Sequence, residues 1–485
     1  MPSDPSRLTS RLRELLRSTP APAGARDSAA PLGEGAPSAG VRRELTYEAD
    51  EGGAPHGAAD QGCVVLERHY DLETPHGREP VAQYGEALAR CLPALAILAA
   101  DERAAAPRDA RPSRLEWGGG AGRRLSDERR RTGAPTAGPL LFFDLETTGL
   151  SGGAGTLAFL VGCGFFDADG FHTRQFFLSG YEAEGELLAA LAALTERFNG
   201  LVTFNGRTFD VPLIETRYLF HRLESPFAEM PHFDMLHPAR KLWRRRGMGQ
   251  PSHRERWSGG RPGDSASCAL GALEEAILGV ERFDDVPGFE IPSRYFSYLR
   301  TGDLSPLAAV FEHNRLDLLS LAALTAIAAR MAGEGPAGAP TPHEALAMGQ
   351  IYVRLGRWHE ADACFVRAAG LGGAAWEAHA IDPEIRADAL RHLALERRRQ
   401  HRYMEAAEAW RQLLDAGAPA EYAREARRAL AIHHEHRVHD LAEARRQAER
   451  ALASESDSAE AESLRHRLAR LDRKLGRGAA RWPPE

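Results

Sequence analysis

The chain has 485 residues, 43% of them hydrophobic, and a net charge of −7. That length exceeds what one hydrophobic core usually serves, so more than one domain is expected. The charge excludes a protein coated in positive charge for nonspecific nucleic-acid binding, though not a local basic groove.

No run of about 18 uninterrupted apolar residues signals a membrane span, and the first residues lack a signal-peptide core, so a cytoplasmic protein with no membrane partner is expected. The five cysteines, Cys63, Cys91, Cys163, Cys268 and Cys364, are scattered without the paired spacing of a zinc site. Buried free thiols in a reducing compartment fit that pattern.

In chain order, Leu8, Leu12, Leu15 and Leu16 form one stripe of an amphipathic helix within residues 1–18. Residues 19–43, rich in Ala, Gly, Pro and Ser, read as a flexible linker. A small accessory region is expected over 44–106, with a strand at 62–68 and an Ala- and Leu-rich helix ending near Asp101. A second linker, 107–138, follows.

Residues 139–333 carry strand patterns at 140–143, 157–166, 171–178, 201–204 and 233–236. The turn Asp167-Ala168-Asp169-Gly170 joins the second and third into a hairpin. Helical spacing of Leu187, Leu188, Leu191, Leu194 and Phe198 completes an α/β pattern, a mixed five-stranded sheet flanked by helices. The Gly- and Pro-rich segment 247–265 reads as an inserted loop.

After a short linker, residues 341–475 are helical throughout. Gly349, Tyr352, Gly356, Ala361, Phe365 and Ala368 have the spacing of a tetratricopeptide-like repeat. Ala394, Ala406 and Trp410 make a second unit, Ala444 and Ala448 a third, and a plain helical bundle is the alternative.

The chemistry starts where the strand Leu140-Leu141-Phe142-Phe143 ends in Asp144-Leu145-Glu146-Thr147-Thr148-Gly149-Leu150. Two carboxylates two residues apart on a strand share one side of the sheet and repel each other unless a cation lies between them. Hard oxygen donors of this kind suit Mg²⁺ or Mn²⁺. A third acid, Asp210, follows the Asn205-Gly206 turn and enters the first turn of a helix; acids are also common there for helix-dipole reasons alone. A fourth, Asp317, shares a helix face with His313, the candidate general base.

These residues resemble the DEDD exonucleases, a group with the ribonuclease H-like fold. Asp144 and Glu146 match its first motif, Asp210 its second, and Asp317 with His313 its third. The likeness is closest to the bacterial YprB-like proteins, over about 139–330, which often continue into helical repeats. The resemblance implies two Mg²⁺ or Mn²⁺ ions held by Asp144, Glu146, Asp210 and Asp317, one generating the nucleophile and one stabilising the leaving oxygen. It also implies 3′–5′ hydrolysis of single-stranded nucleic acid. His313 stands four residues before Asp317, the spacing at which tyrosine-type members place Tyr.

Lys241, Trp243 and Arg244, within a basic run after a strand, are candidate nucleic-acid contacts, with Trp243 stacking on a base. A solvated helix face with one buried aromatic explains them equally well. Thr147 and Asn205 join them beside the acids. Asp234 is set aside as a structural acid, and Asp71-Leu72-Glu73-Thr74, which repeats the first motif's residue types without its apolar strand, as a loop.

The leading expectation is therefore a metal-dependent 3′–5′ exonuclease acting on single-stranded DNA or RNA, with a helical tail that takes a protein partner. The alternatives are a non-catalytic nucleic-acid-binding scaffold that recruits a protein through its repeats, and a structure-specific endonuclease.

Overall fold

The structure, a computed structural model, describes residues 43–47, 63–105, 135, 138–149, 155–244, 268–282, 285–373, 381–454 and 458–479. The expected helix at 1–18, residues 19–42, nearly all of the 107–138 linker and the loop at 247–265 lie outside the described residues. The chain divides into two units, Met1–Gly333 and Glu334–Glu485.

The first unit is built on β1 (Arg43–Tyr47), β2 (Val64–Asp71), the small hairpin β3 (Pro75–His76) and β4 (Glu79–Pro80), α1 (Val81–Cys91) and α2 (Leu95–Ala105). There follow β5 (Leu140–Thr147), β6 (Ala158–Phe166), β7 (Gly170–Phe177), α3 (Glu184–Thr195), β8 (Gly200–Thr203), α4 (Asp210–Phe220), β9 (His232–Asp234), α5 (Leu236–Leu242), α6 (Ile291–Thr301) and α7 (Ala308–Glu334). The main sheet has the order β1-β2-β7-β6-β5-β8-β9. β5, β6 and β7 form an antiparallel meander, while β8 and β9 run parallel to β5.

All five expected strands are present, and two more widen the sheet. The region expected to be a small accessory layer instead supplies β1 and β2, and β2 pairs antiparallel with β7 from Val64↔Phe177 to Asp71↔Gly170. An unpaired β7 would present a row of open N–H and C=O groups. β2 closes that edge and buries Val64, Val65 and Leu66.

Strand alternation sends Leu141, Phe143 and Leu145 to one face, where they join a core with Leu187, Leu188 and Leu191 of α3 and Leu213, Ile214 and Tyr218 of α4. The opposite face is cut back to glycine where α7 crosses it. A Cβ on Gly162 would fall 2.3 Å from Asn314 Oδ1, and one on Gly164 2.6 Å from the Phe171 ring and 3.4 Å from Leu318 Cβ. The helical stretch Ser305–Gly338 is long and apolar enough to cross a membrane by composition, but 72% of its apolar window is buried inside the protein. Its apolarity is that of a core helix.

The second unit is helical: α8 (Pro342–Arg354), α9 (Trp358–Ala368), α10 (Pro383–Arg399), α11 (Tyr403–Asp415), α12 (Ala420–His433), α13 (Leu441–Leu452) and α14 (Ser458–Ala479). The pairs α8/α9, α10/α11 and α12/α13 share a turn design. Gly356, His401 and His439 are left-handed, with φ of 72°, 61° and 64°. Each is followed at the same offsets by Glu360, Glu405 or Glu443 and by a buried Ala361, Ala406 or Ala444. Gly349 permits the first pair to close, since a Cβ there would meet Phe365 Cε1 at 2.5 Å.

A buried acid fastens the last helix. Glu435, 2% exposed, accepts hydrogen bonds from Arg467 at 2.7 Å, Arg470 at 2.9 and 2.7 Å and Lys474 at 2.8 Å. Burial alone would raise its pKa, but the bonds from Arg470 and Lys474 prevail and hold it at about 2. A carboxyl so depressed contributes stability above its unfolded pKa, lost as pH falls toward 2. Glu435→Ala is expected to destabilise this unit by about 1–3 kcal/mol, because the freed cations can turn to solvent. Urea denaturation of wild type and variant measures it, and an unchanged midpoint would contradict the assignment.

Candidate active site

Three distant segments bring the four acids to one sheet edge. Asp144 and Glu146 project from the end of β5, with Asp144 opposite Gly162 of β6. Asp210 opens α4, directly after the connection leaving β8. Asp317 and His313 come from α7, whose close approach over Gly162 sets their depth.

The β8–α4 connection is held by Asp234, the acid set aside from the sequence. Its carboxylate, 1% exposed, accepts from the backbone N–H groups of Asn205 at 2.7 Å, Arg207 at 3.0 Å and Leu236 at 3.1 Å. Asn205 at the bend is left-handed, with φ of 67°, a conformation that Asn tolerates better than most residues. Asp210 thus starts its helix from a fixed turn.

Asp144 is held by a buried amide relay. Asn314, 0% exposed, donates from Nδ2 to Asp144 Oδ2 at 2.8 Å and to the Asp144 carbonyl at 3.3 Å. Its Oδ1 accepts from Gln175 Nε2 at 2.8 Å, and Gln175 also donates to the Phe311 carbonyl at 2.9 Å. Removing a partner that orients a metal-ligating carboxylate typically costs 10–100-fold in metal affinity or activity. Asn314→Ala is accordingly expected to raise the divalent-metal concentration for half-maximal activity by about 10–100-fold. Gly162→Ala, which collides with the same amide, should shift it in the same direction. Metal titrations at fixed substrate would show either change, and unaltered curves for both variants would remove the relay from the site.

The electrostatics are those of acids forced together. Burial first, then the carboxylates of Asp317, Glu146 and Asp210, hold the Asp144 pKa well above the usual carboxylate range. Burial above all pushes Glu146 up to about 8; His313 is the next largest influence and opposes it, while Asp317, Asp210 and Asp285 add to the rise. Asp210 rises to about 7 through burial and Asp234. Buried hard oxygen donors that repel one another are the donor set a divalent cation neutralises.

His313 and Asp317 are tied to a cation that the sequence did not single out. Arg282 bonds to Asp317 and to the buried Glu274, and its other terminal nitrogen lies 3.8 Å from Asp285 Oδ1. His313 Nδ1 is 2.6 Å from Asp285 Oδ1, and its Nε2 is 3.7 Å from Asp317 Oδ2. Burial would lower the His313 pKa, but Asp317, the Asp285 hydrogen bond and Glu146 raise it to about 10. The near-neutral histidine expected from sequence is here an imidazolium at neutral pH. Asp317 is the largest raising influence, and the hydrogen bond to Asp285, 28 residues away in the chain, comes next.

The nucleic-acid contacts expected from sequence fare unevenly. Trp243 is 6% exposed and belongs to the core, so it offers no face to a base. Thr147 is buried, and its hydroxyl donates to the Gly149 carbonyl at 2.9 Å, shaping the end of β5. Asn205 is exposed at the bend, its Oδ1 accepting from the Thr208 hydroxyl at 3.0 Å. Lys241 is partly buried and Arg244 exposed at the far end of α5, roughly 10 Å down that helix from the acidic edge. The residues sequence reading missed, Asn314, Gln175, Arg282 and Asp285, act through other side chains, and only Asn314, beside His313, lay within a noted motif.

A family model described as the RNase_H superfamily matches residues 141–329, from β5 into α7. Over 341 residues, covering 69% of this chain and 75% of the relative, the sequence is 31% identical to the "Uncharacterized protein YprB" of Bacillus subtilis (strain 168). The chain belongs to the YprB family. Its first unit is a ribonuclease H-superfamily domain, of the kind found in nucleic-acid-processing hydrolases that typically use divalent metals. In this YprB-family chain the acidic edge formed by β5, α4 and α7 falls inside the matched span, and the helical unit lies beyond it.

Proposed function

We propose that this YprB-family protein is a 3′–5′ exonuclease of the DEDD type, hydrolysing phosphodiester bonds of single-stranded nucleic acid with two Mg²⁺ or Mn²⁺ ions. The observation that carries the reading is the convergence of Asp144, Glu146, Asp210 and Asp317 from three segments, with the first three driven to raised pKa values by burial and by neighbouring carboxylates. Natural chains seldom keep such repulsion without a use for it. The four carboxylates would hold the ions, which when bound supply charge neutralisation and an activated water.

The chain's own residues divide the remaining work. Asn314 and Gln175 fix the Asp144 carboxylate, and Asp234 fixes the turn that presents Asp210. His313, anchored by Asp285, would hold a proton and an anionic oxygen at the acidic edge; its raised pKa supports that role. The helical pairs, read as tetratricopeptide-like repeats, are proposed to take a protein partner. Single-stranded DNA and RNA oligonucleotides, labelled at the 5′ end and incubated with either ion, test the reading. Progressive shortening from the 3′ end supports it, internal fragments or cutting of a circular strand would favour an endonuclease, and intact strands under all conditions would contradict both.

A further inference from the structure

A second cluster of metal-type donors lies away from the acidic edge. His69 of β2 and His172 of β7 are directly paired across the two strands, and Asp167 sits at the turn between β6 and β7. One donor atom from each residue lies within 4.8 Å of the other two. Along β6, Asp167 is five residues beyond Gly162, the partner of Asp144, which places the cluster roughly 17 Å along the strand at about 3.3–3.4 Å per residue. It is therefore separate from the carboxylates already described.

We propose that His69, His172 and Asp167 form a zinc-type transition-metal site that braces β2 onto the β6–β7 hairpin. Two imidazoles and one carboxylate are the donor set of a borderline-soft divalent ion rather than of Mg²⁺. The groups around them are arranged as outer partners of such a site usually are. His69 turns Nδ1 toward Asp71 Oδ1 at 3.1 Å, the carboxylate–histidine pairing that orients a ligating imidazole. Its Nε2 is buried and finds no hydrogen-bond partner among the described residues, a cost that a bound cation would remove.

His172 Nε2 is 2.6 Å from Asp167 Oδ2, and its ring stacks on Phe165 at 5.3 Å and 10°. The other oxygen of Asp167 accepts from the backbone N–H groups of Asp169 at 2.9 Å and Gly170 at 3.2 Å, which pins the carboxylate at the turn. Donor atoms around a tetrahedral zinc stand roughly 3.3 Å apart, from bonds of about 2.0–2.1 Å. The strands already set the backbones and hold the donor atoms within 4.8 Å of one another, so the site asks for side-chain rotation to that spacing. A pocket of about 180 Å³ lined by Asp167 and His172, but not by His69, together with Glu67, Phe165, Thr173, Arg174 and Arg197, adjoins two of the three donors and has room for a water. Of its two arginines, Arg174 is paired with Glu67.

The test uses the full chain carrying Asp144→Asn in every zinc-binding arm, which removes one charged donor from the acidic edge. Zinc content after equilibration and dialysis, zinc titration calorimetry and the visible absorption of the Co²⁺ form are compared with and without His69→Ala, His172→Ala and Asp167→Asn. The parent is expected to bind one equivalent of zinc that both histidine variants lose, together with the tetrahedral Co²⁺ bands. Asp167→Asn keeps an oxygen to cap the turn, so the fold is retained, and it should weaken binding at least about tenfold. Equal zinc content in parent and histidine variants, or an Asp167→Asn affinity equal to the parent's, would overturn the proposal. In separate arms that keep Asp144, His69→Ala and His172→Ala should leave nuclease activity unchanged, because the site is a brace.

Discussion

Replacing Asp144 with Asn is expected to lower turnover on a single-stranded substrate by about 10²–10³-fold, the scale seen when a preorganised electrostatic group is lost, while making the chelator-treated protein no less stable. The two effects share a cause. Asp144 lies among Asp317, Glu146 and Asp210, so its charge opposes folding until a cation offsets it. The amide keeps the shape and removes the repulsion, but it also removes a charged oxygen donor. Rapid-quench rates with Mn²⁺, paired with thermal melting in chelator, would show both. A variant that keeps its rate, or melts well below wild type, would contradict the placement of Asp144.

The same crowding sets a pH dependence. Glu146 and Asp210 have folded pKa values of about 8 and 7, above those of ordinary carboxyls. A carboxyl with a raised folded pKa contributes stability at low pH that is lost as pH rises through that value. His313, raised to about 10, contributes in the same direction: its stabilisation is present below the ordinary histidine range and lost toward 10. The chelator-treated protein should therefore lose stability from pH 6 to 9, and added Mn²⁺ should restore more of it at pH 8 than at pH 6.

Arg282→Met is expected to destabilise the chelator-treated protein by about 3–5 kcal/mol, the range for breaking a buried ion pair from one side. The Arg282 side chain is 7% exposed and faces Glu274, 1% exposed, as well as Asp317 and Asp285. Without it Glu274 loses the cation it bonds to, and Asp317 and Asp285 are left facing His313. Adding Glu274→Gln should recover a substantial part of the loss, because that carboxylate has the least access to solvent. Urea midpoints of the single and double variants measure the coupling, and a loss below about 1 kcal/mol, the range of an exposed pair, would mean that Arg282 is not a structural cation.

What the sequence disclosed follows from local rules. The alternation in β5, the Asp167–Gly170 turn and the leucine spacing of α3 depend on residues close in the chain, and so do the two-residue gap of Asp144 and Glu146 and the four-residue gap of His313 and Asp317. The strand at 62–68 was legible, but its place in the main sheet escaped, because its partner, β7, lies about 100 residues away and nothing local in 64–71 encodes that pairing. Asn314 and Gln175 escaped for a related reason: a buried amide carries no pattern, and its role exists only once α7 lies over Gly162. Trp243 shows the converse. A tryptophan within a basic run resembles a base-stacking residue, and packing after α5 decides instead for the core.

The central claim is that four carboxylates from β5, α4 and α7 form one metal-dependent phosphodiesterase centre. The most direct test digests matched, end-labelled DNA and RNA strands with Mn²⁺, comparing wild type with Asp210→Ala. The account predicts metal-dependent release of mononucleotides from the 3′ end of at least one strand by wild type, and loss of that release in the variant. Equal rates for the two proteins, or no cleavage of either strand by wild type, would contradict it.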